Sequence, residues 1–126
     1  MNNPAPGYKN HPNHSIVIST PTHPVQVSLA GTLIADTKQA ILVEEGGYPG
    51  RLYLPANDLH MDYFAATQHT THCPFKGDAR YWTVKVGDTI VENGAWAYDS
   101  PYDECEALAG YVAFYGDRFE IQAGTG

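Results

Sequence analysis

Charge is scarce in this chain, and positive charge is scarcest. Asp, Glu, Lys and Arg make up 17% of its 126 residues, against about 25% in ordinary domains. Seven basic residues face fourteen acidic ones, for a formal net charge of −7. Such an acidic surface repels phosphate backbones and argues against nucleic acid as a partner. Long apolar runs are missing too. No segment reaches the ~18 apolar residues of a spanning helix, so no membrane partner is expected. Met1 is followed by Asn-Asn-Pro-Ala-Pro, not by a basic and apolar leader, and a cytoplasmic location is the expectation. Cysteine is limited to Cys73 and Cys105, which is no disulfide framework. A chain this long buries roughly two-thirds of its unfolded surface and needs neither disulfide nor metal, so free thiols are expected. Helical periodicity is absent as well. No strand-like run is followed by the helix that a parallel crossover requires, which excludes an α/β sheet.

What is present reads as short strands. Residues 1–24 are rich in Pro, Asn, Ser, Thr and His, with Ile16-Val17-Ile18 the one apolar run. They read as a loosely ordered arm holding at most one short strand, with a single β domain over 25–126. Val25 to Leu29 alternates with period two, so its apolar side chains share a face. Ala30-Gly31 turns the chain into Leu33–Thr37, and Ala40–Glu44 follows. Glu45-Gly46-Gly47-Tyr48-Pro49-Gly50 is a loop, Arg51–Leu54 is extended, and Pro55 closes it. A helical turn is expected over Leu59–Phe64, and another over Glu104–Ala109. Gln68–Cys73, Ala79–Val86, Thr89–Glu92 and Ala95–Tyr98 are further strands, with Gly87-Asp88 as a hairpin turn. Tyr111–Tyr115 and Arg118–Ile121 read as a last hairpin. The fold class is therefore mainly β: eight or nine short antiparallel strands in two sheets packed across each other, barrel- or tent-like, with one or two helical turns.

Chemical interest centres on Thr70-Thr71-His72-Cys73-Pro74-Phe75-Lys76-Gly77-Asp78-Ala79-Arg80. A thiolate needs nearby positive charge or backbone donors, and Lys76 follows Cys73 by three residues. Pro74 and Gly77 favour a turn whose N–H groups form an anion nest. Cys73 is then the candidate nucleophile, and an inert core cysteine is the rival reading. His72 and Cys73 are adjacent in an extended run and point to opposite faces, so they make a poor catalytic pair. Among the acids Asp36, Glu44, Asp58, Glu92 and Asp117, Asp58 is the acid–base candidate. Lys76 is either a solvated turn tip or a grip for phosphate or carboxylate. Arg51 supplies a planar clamp for the same anion, and Arg80 either joins it or pairs with Asp78 or Asp99.

The aromatics Tyr53, Trp82 and Trp96 fall on strands, where they are core residues or the cover of a ring-binding cleft. The glycine-rich loop lacks the Gly-Lys-Ser/Thr ending of a phosphate-binding P-loop. His69, His72, Cys73 and Cys105 lack paired zinc spacing, and His11, His14 and His23 lie in the arm, so no metal site or cofactor is expected.

In order along the chain, Ile34-Ala35-Asp36-Thr37, Tyr53-Leu54-Pro55, Thr71 through Trp82, Ala95-Trp96-Ala97-Tyr98-Asp99 and Ala109 through Tyr115 resemble the family known as domain of unknown function 427. That family is labelled nucleotidyltransferase-like. The resemblance spans about residues 25–120. It implies a small bacterial domain of two antiparallel sheets, with Asp58, Thr71, Cys73, Lys76, Gly77 and Trp96 matching the family pattern. It implies no settled activity. The glycine-rich loop before Arg51 departs from that pattern.

The functional expectation is a domain that binds a small anionic or aromatic ligand. The ligand-binding candidates are Lys76, Arg51, Tyr53, Thr71, Gly77, Arg80 and Trp96, with Cys73 and Asp58 catalytic if the protein is an enzyme. The alternatives are a peptide- or protein-binding β module and nucleotidyl transfer. Homo-oligomers stay open.

Overall fold

Alternating apolar residues build the sheets seen in the structure, a computed structural model that describes residues 3–21, 23–46 and 49–123. Gly47 and Tyr48 of the glycine-rich loop lie outside the described residues. Among the described residues ten strands form two antiparallel sheets. They are β1 (Ile16–Ser19), β2 (Val25–Leu29), β3 (Thr32–Thr37), β4 (Ile41–Glu45), β5 (Arg51–Pro55), β6 (Phe64–Cys73), β7 (Gly77–Val86), β8 (Thr89–Tyr98), β9 (Tyr111–Phe114) and β10 (Glu120–Ala123). The large sheet runs β1-β4-β5-β9-β8-β7-β6 and the small one β10-β2-β3. The expected mainly-β class and its two packed sheets are what the chain adopts, and the sheets do not close into a barrel. Among the described residues no helix is long and apolar enough to cross a membrane.

The two sheets meet through Val25, Val27, Ile34, Leu54, Trp82, Val84, Val112 and Phe114. Period-two burial on β2 places Val25, Val27 and Leu29 inward. The opposite face of the large sheet carries a second apolar cluster, including Ile41, Val43, Tyr53, Tyr81, Trp96 and Tyr98. Cys105 and Leu108, from a 3₁₀ turn at Asp103–Leu108, pack onto it. Burial on both faces of the central strands, such as β8, explains why they show so little polar alternation.

Several sequence expectations change. Tyr111–Tyr115 and Arg118–Ile121 do not form a hairpin: β9 pairs with β5 and β8, whereas β10 pairs with β2 in the other sheet. A short turn signal between two apolar runs cannot distinguish a hairpin from a crossing between layers. Thr89–Glu92 and Ala95–Tyr98 are one strand, β8. Asn93 adopts φ +50 within it and is held by Thr67 Oγ1 on its side-chain oxygen at 2.7 Å. The turn expected at Leu59–Phe64 is two 3₁₀ turns, Ala56–Asp58 and Met61–Tyr63. Within the stretch read as an arm, β1 pairs with β4 and forms an edge of the large sheet.

The β6–β7 hairpin has a three-residue tip, Pro74-Phe75-Lys76, between the paired Cys73 and Gly77. Gly77 has φ +124, and a Cβ there would lie 3.3 Å from the Ser100 carbonyl oxygen. Tyr102 N–H donates to the Lys76 carbonyl at 2.9 Å on the same side. Gly77→Ala should therefore cost ~1–3 kcal/mol through the forced left-handed backbone. Urea unfolding checks this, and an unchanged midpoint would contradict the reading.

Candidate functional site

Register fixes a row of side chains across the face of the large sheet that is turned away from the small sheet. Ile41 pairs with Tyr53, Tyr53 with Ala113, Ala113 with Trp96, and Trp96 with Tyr81. Ala113, small and fully buried, lies between two large aromatics in this row. One step along β5, Arg51 pairs with Val43. Its guanidinium carbon lies 4.9 Å from the Trp96 ring centroid, and its Nη1 donates to the Phe114 carbonyl at 2.9 Å. Both contacts hold the guanidinium plane.

Lys76 and Glu45 meet beside Arg51 and Tyr53. Lys76 Nζ donates to Glu45 Oε1, although three strands, β5, β9 and β8, lie between β4 and β7. Four spacings of ~4.8 Å would separate flat strands by about 19 Å, far beyond a lysine side chain. Twist lifts diagonally opposite corners of a sheet toward the same side, and the ion pair joins two such corners over the concave face. Only 8% of Lys76 is exposed, so it is a buried, paired cation and not a solvated turn tip. Below the pair is a pocket of about 300 Å³ lined by Val43, Glu45, Pro49, Arg51, Tyr53 and Lys76.

The N-terminal segment seals the pair from outside. The Asn3 and Ala5 N–H groups donate to Asp103 Oδ2 at 2.7 Å and Glu104 Oε1 at 2.9 Å. Gly7 N–H donates to the Pro74 carbonyl at 2.9 Å. The His14 ring stacks on Phe75 at 3.9 Å, and its Nε2 lies 2.7 Å from Glu45 Oε2. Burial alone would raise the Glu45 pKa. The hydrogen bond and charge of Lys76, followed by those of His14, outweigh that and hold its carboxyl below the usual range. Burial pushes the Tyr53 hydroxyl up to about 12, against a hydrogen bond from Trp96 and the charge of Arg51. Tyr53 thus stays a neutral donor at physiological pH. Tyr98 is raised further, chiefly by burial.

Of the residues singled out from sequence, the structure brings together Lys76, Arg51, Tyr53 and Trp96. Thr71 is exposed at the β6 edge, its hydroxyl 2.9 Å from that of Tyr81, and Gly77 is backbone support for the hairpin. Cys73 is half-buried against the second apolar cluster and does not line the pocket. Asp58 accepts from the Thr37 hydroxyl at 2.6 Å, in a separate hollow with Asp36 and Lys38. Arg80 lies over Trp82 and pairs with Asp99 at 2.8 Å. Trp82 itself packs between the sheets and cannot cover a ring at this pocket. Glu45 and His14 are the site residues the sequence reading missed. Alternation along Ile41, Val43 and Glu45 was the available signal for Glu45. Among the described residues no three His, Cys, Asp or Glu side chains are grouped as metal ligands.

With fold and pocket described, the comparison with known families is direct. The family described as Domain of unknown function (DUF427) matches residues 17–124, and the chain belongs to it. No curated protein matches the sequence. The matched span includes Glu45, Arg51, Tyr53, Lys76 and Trp96. The segment that seals Lys76, residues 3–14, lies before it.

Cys105 is fully buried, and burial pushes its thiol from near 9 up to about 11, partly offset by Lys76. Its contribution to stability is complete below the unfolded pKa and disappears as pH rises through about 11. At pH 8 a thiol reagent should modify Cys73 alone, with Cys105 reacting only in denaturant. Rapid modification of both in the native protein would contradict this burial.

Proposed function

We propose that the protein binds a small anionic, ring-bearing molecule in the Arg51–Tyr53–Lys76 pocket. The observation that carries this reading is the hollow itself. Arg51, in no ion pair among the described residues, and the neutral Tyr53 hydroxyl converge on a space of about 300 Å³. Few convergent polar groups beside apolar side chains and an aromatic ring are what small-molecule sites offer. Cys73 stands outside the pocket wall, so the reading is binding and includes no covalent step.

A second reading rests on β6. This ten-residue edge strand is largely exposed and carries no Lys, Arg, Asp, Glu or Pro. Such an edge can accept a peptide strand. Nucleotidyl transfer has the least support, because it calls for acidic metal ligands beside the phosphates.

Titrating the labelled protein with a library of ring-bearing and anionic fragments, followed by NMR, separates these readings. Shifts should concentrate at the Arg51 Nε–H and Trp96 indole N–H. Arg51→Ala should weaken the best fragment at least tenfold, about 1.4 kcal/mol. Shifts confined to β6 would favour the peptide module instead.

A further inference from the structure

Resting on the pocket reading above, we infer that the occupant is a planar monocarboxylate with an aromatic or similarly flat body, and not a nucleoside triphosphate. Charge decides first. The Lys76 ammonium is already answered by Glu45, whose second oxygen takes His14. Arg51 is the remaining cation on the pocket wall. A guanidinium fork matches one carboxylate through two parallel hydrogen bonds. A triphosphate brings several negative charges, and the Glu45 carboxylate, held ionised on the same wall, repels every charge beyond the first.

Shape decides next. The pocket volume of about 300 Å³ is at the lower end of the ~300–1,000 Å³ typical of small-molecule sites. It accommodates a ring with a short acid arm more readily than base, sugar and three phosphoryl groups. Val43 and Pro49 supply apolar walls. Trp96 backs the guanidinium and fixes its plane, so the carboxylate and its attached ring are held coplanar with a defined direction. The Tyr53 hydroxyl, neutral until about pH 12, donates to an acid oxygen without adding charge.

Calorimetric titration of the full chain at fixed ionic strength tests this with benzoate, benzamide, pyrophosphate, and ATP with and without magnesium. Benzoate should bind at one site, with benzamide at least tenfold weaker and no detectable heat from pyrophosphate or ATP. Arg51→Ala should abolish benzoate binding, and Arg51→Lys should weaken it, losing the fork but keeping the charge. Glu45→Gln should leave benzoate bound and admit pyrophosphate. Circular dichroism confirms that each variant is folded. ATP or pyrophosphate binding more tightly than benzoate would overturn the inference and leave the pocket reading standing. Equal affinity for benzamide and benzoate would overturn the charge assignment alone. Silence from every probe would overturn both the occupant and the pocket.

Discussion

One ion pair organises the face of the large sheet turned away from the small one. Lys76, at the tip of the β6–β7 hairpin, reaches Glu45 at the end of β4 across a sheet whose intervening strands would hold them far apart if it were flat. Twist brings the corners near, and the pair fixes how near. The hollow beneath, the exclusion of Lys76 from water, and the path of the N-terminal segment over Phe75 and Glu45 all follow. A buried pair of this kind is weak evidence for net stability, because both charges lose their hydration. Its more secure consequence is geometric: it sets the height of the roof above Tyr53 and Arg51.

The pair also sets the electrostatic character of the site. Glu45 cancels Lys76, so the pocket owes its remaining positive charge to Arg51, and that charge is held flat by Trp96 and the Phe114 carbonyl. Register places Tyr53, Ala113 and Trp96 in one row across β5, β9 and β8, with Tyr53 on the pocket wall and Trp96 behind Arg51. A site of this kind, one directed cation over aromatic rings, selects by charge count and flatness.

Much of the fold was legible because period-two alternation is local. The β2 pattern, the Ala30-Gly31 and Gly87-Asp88 turns and the antiparallel class all rest on residues close together in sequence. Strand order was not legible, since β5 pairs with β9 across more than fifty residues and nothing local encodes that partner. The misread last hairpin has the same cause. At the site, Lys76, Arg51, Tyr53 and Trp96 were visible as residue types with chemistry. Their convergence depends on sheet curvature, which no spacing reveals. Beside the glycines Glu45 reads as loop, although it continues the buried positions of Ile41 and Val43, and His14 sits among residues whose composition reads as a loose arm. Cys73 drew attention because reactive residue types stand out in sequence, whereas its half-buried position outside the pocket is a matter of tertiary packing.

The family match begins at residue 17, so the pair and pocket lie within the DUF427 domain while the segment over them lies outside the match. The account stands or falls on whether Lys76 and Glu45 interact across the sheet. A double-mutant cycle with Lys76→Met and Glu45→Gln, read by urea unfolding at neutral pH, measures that directly. A coupling energy of about 1–3 kcal/mol is the predicted result, and losses that add to within ~0.5 kcal/mol would contradict it.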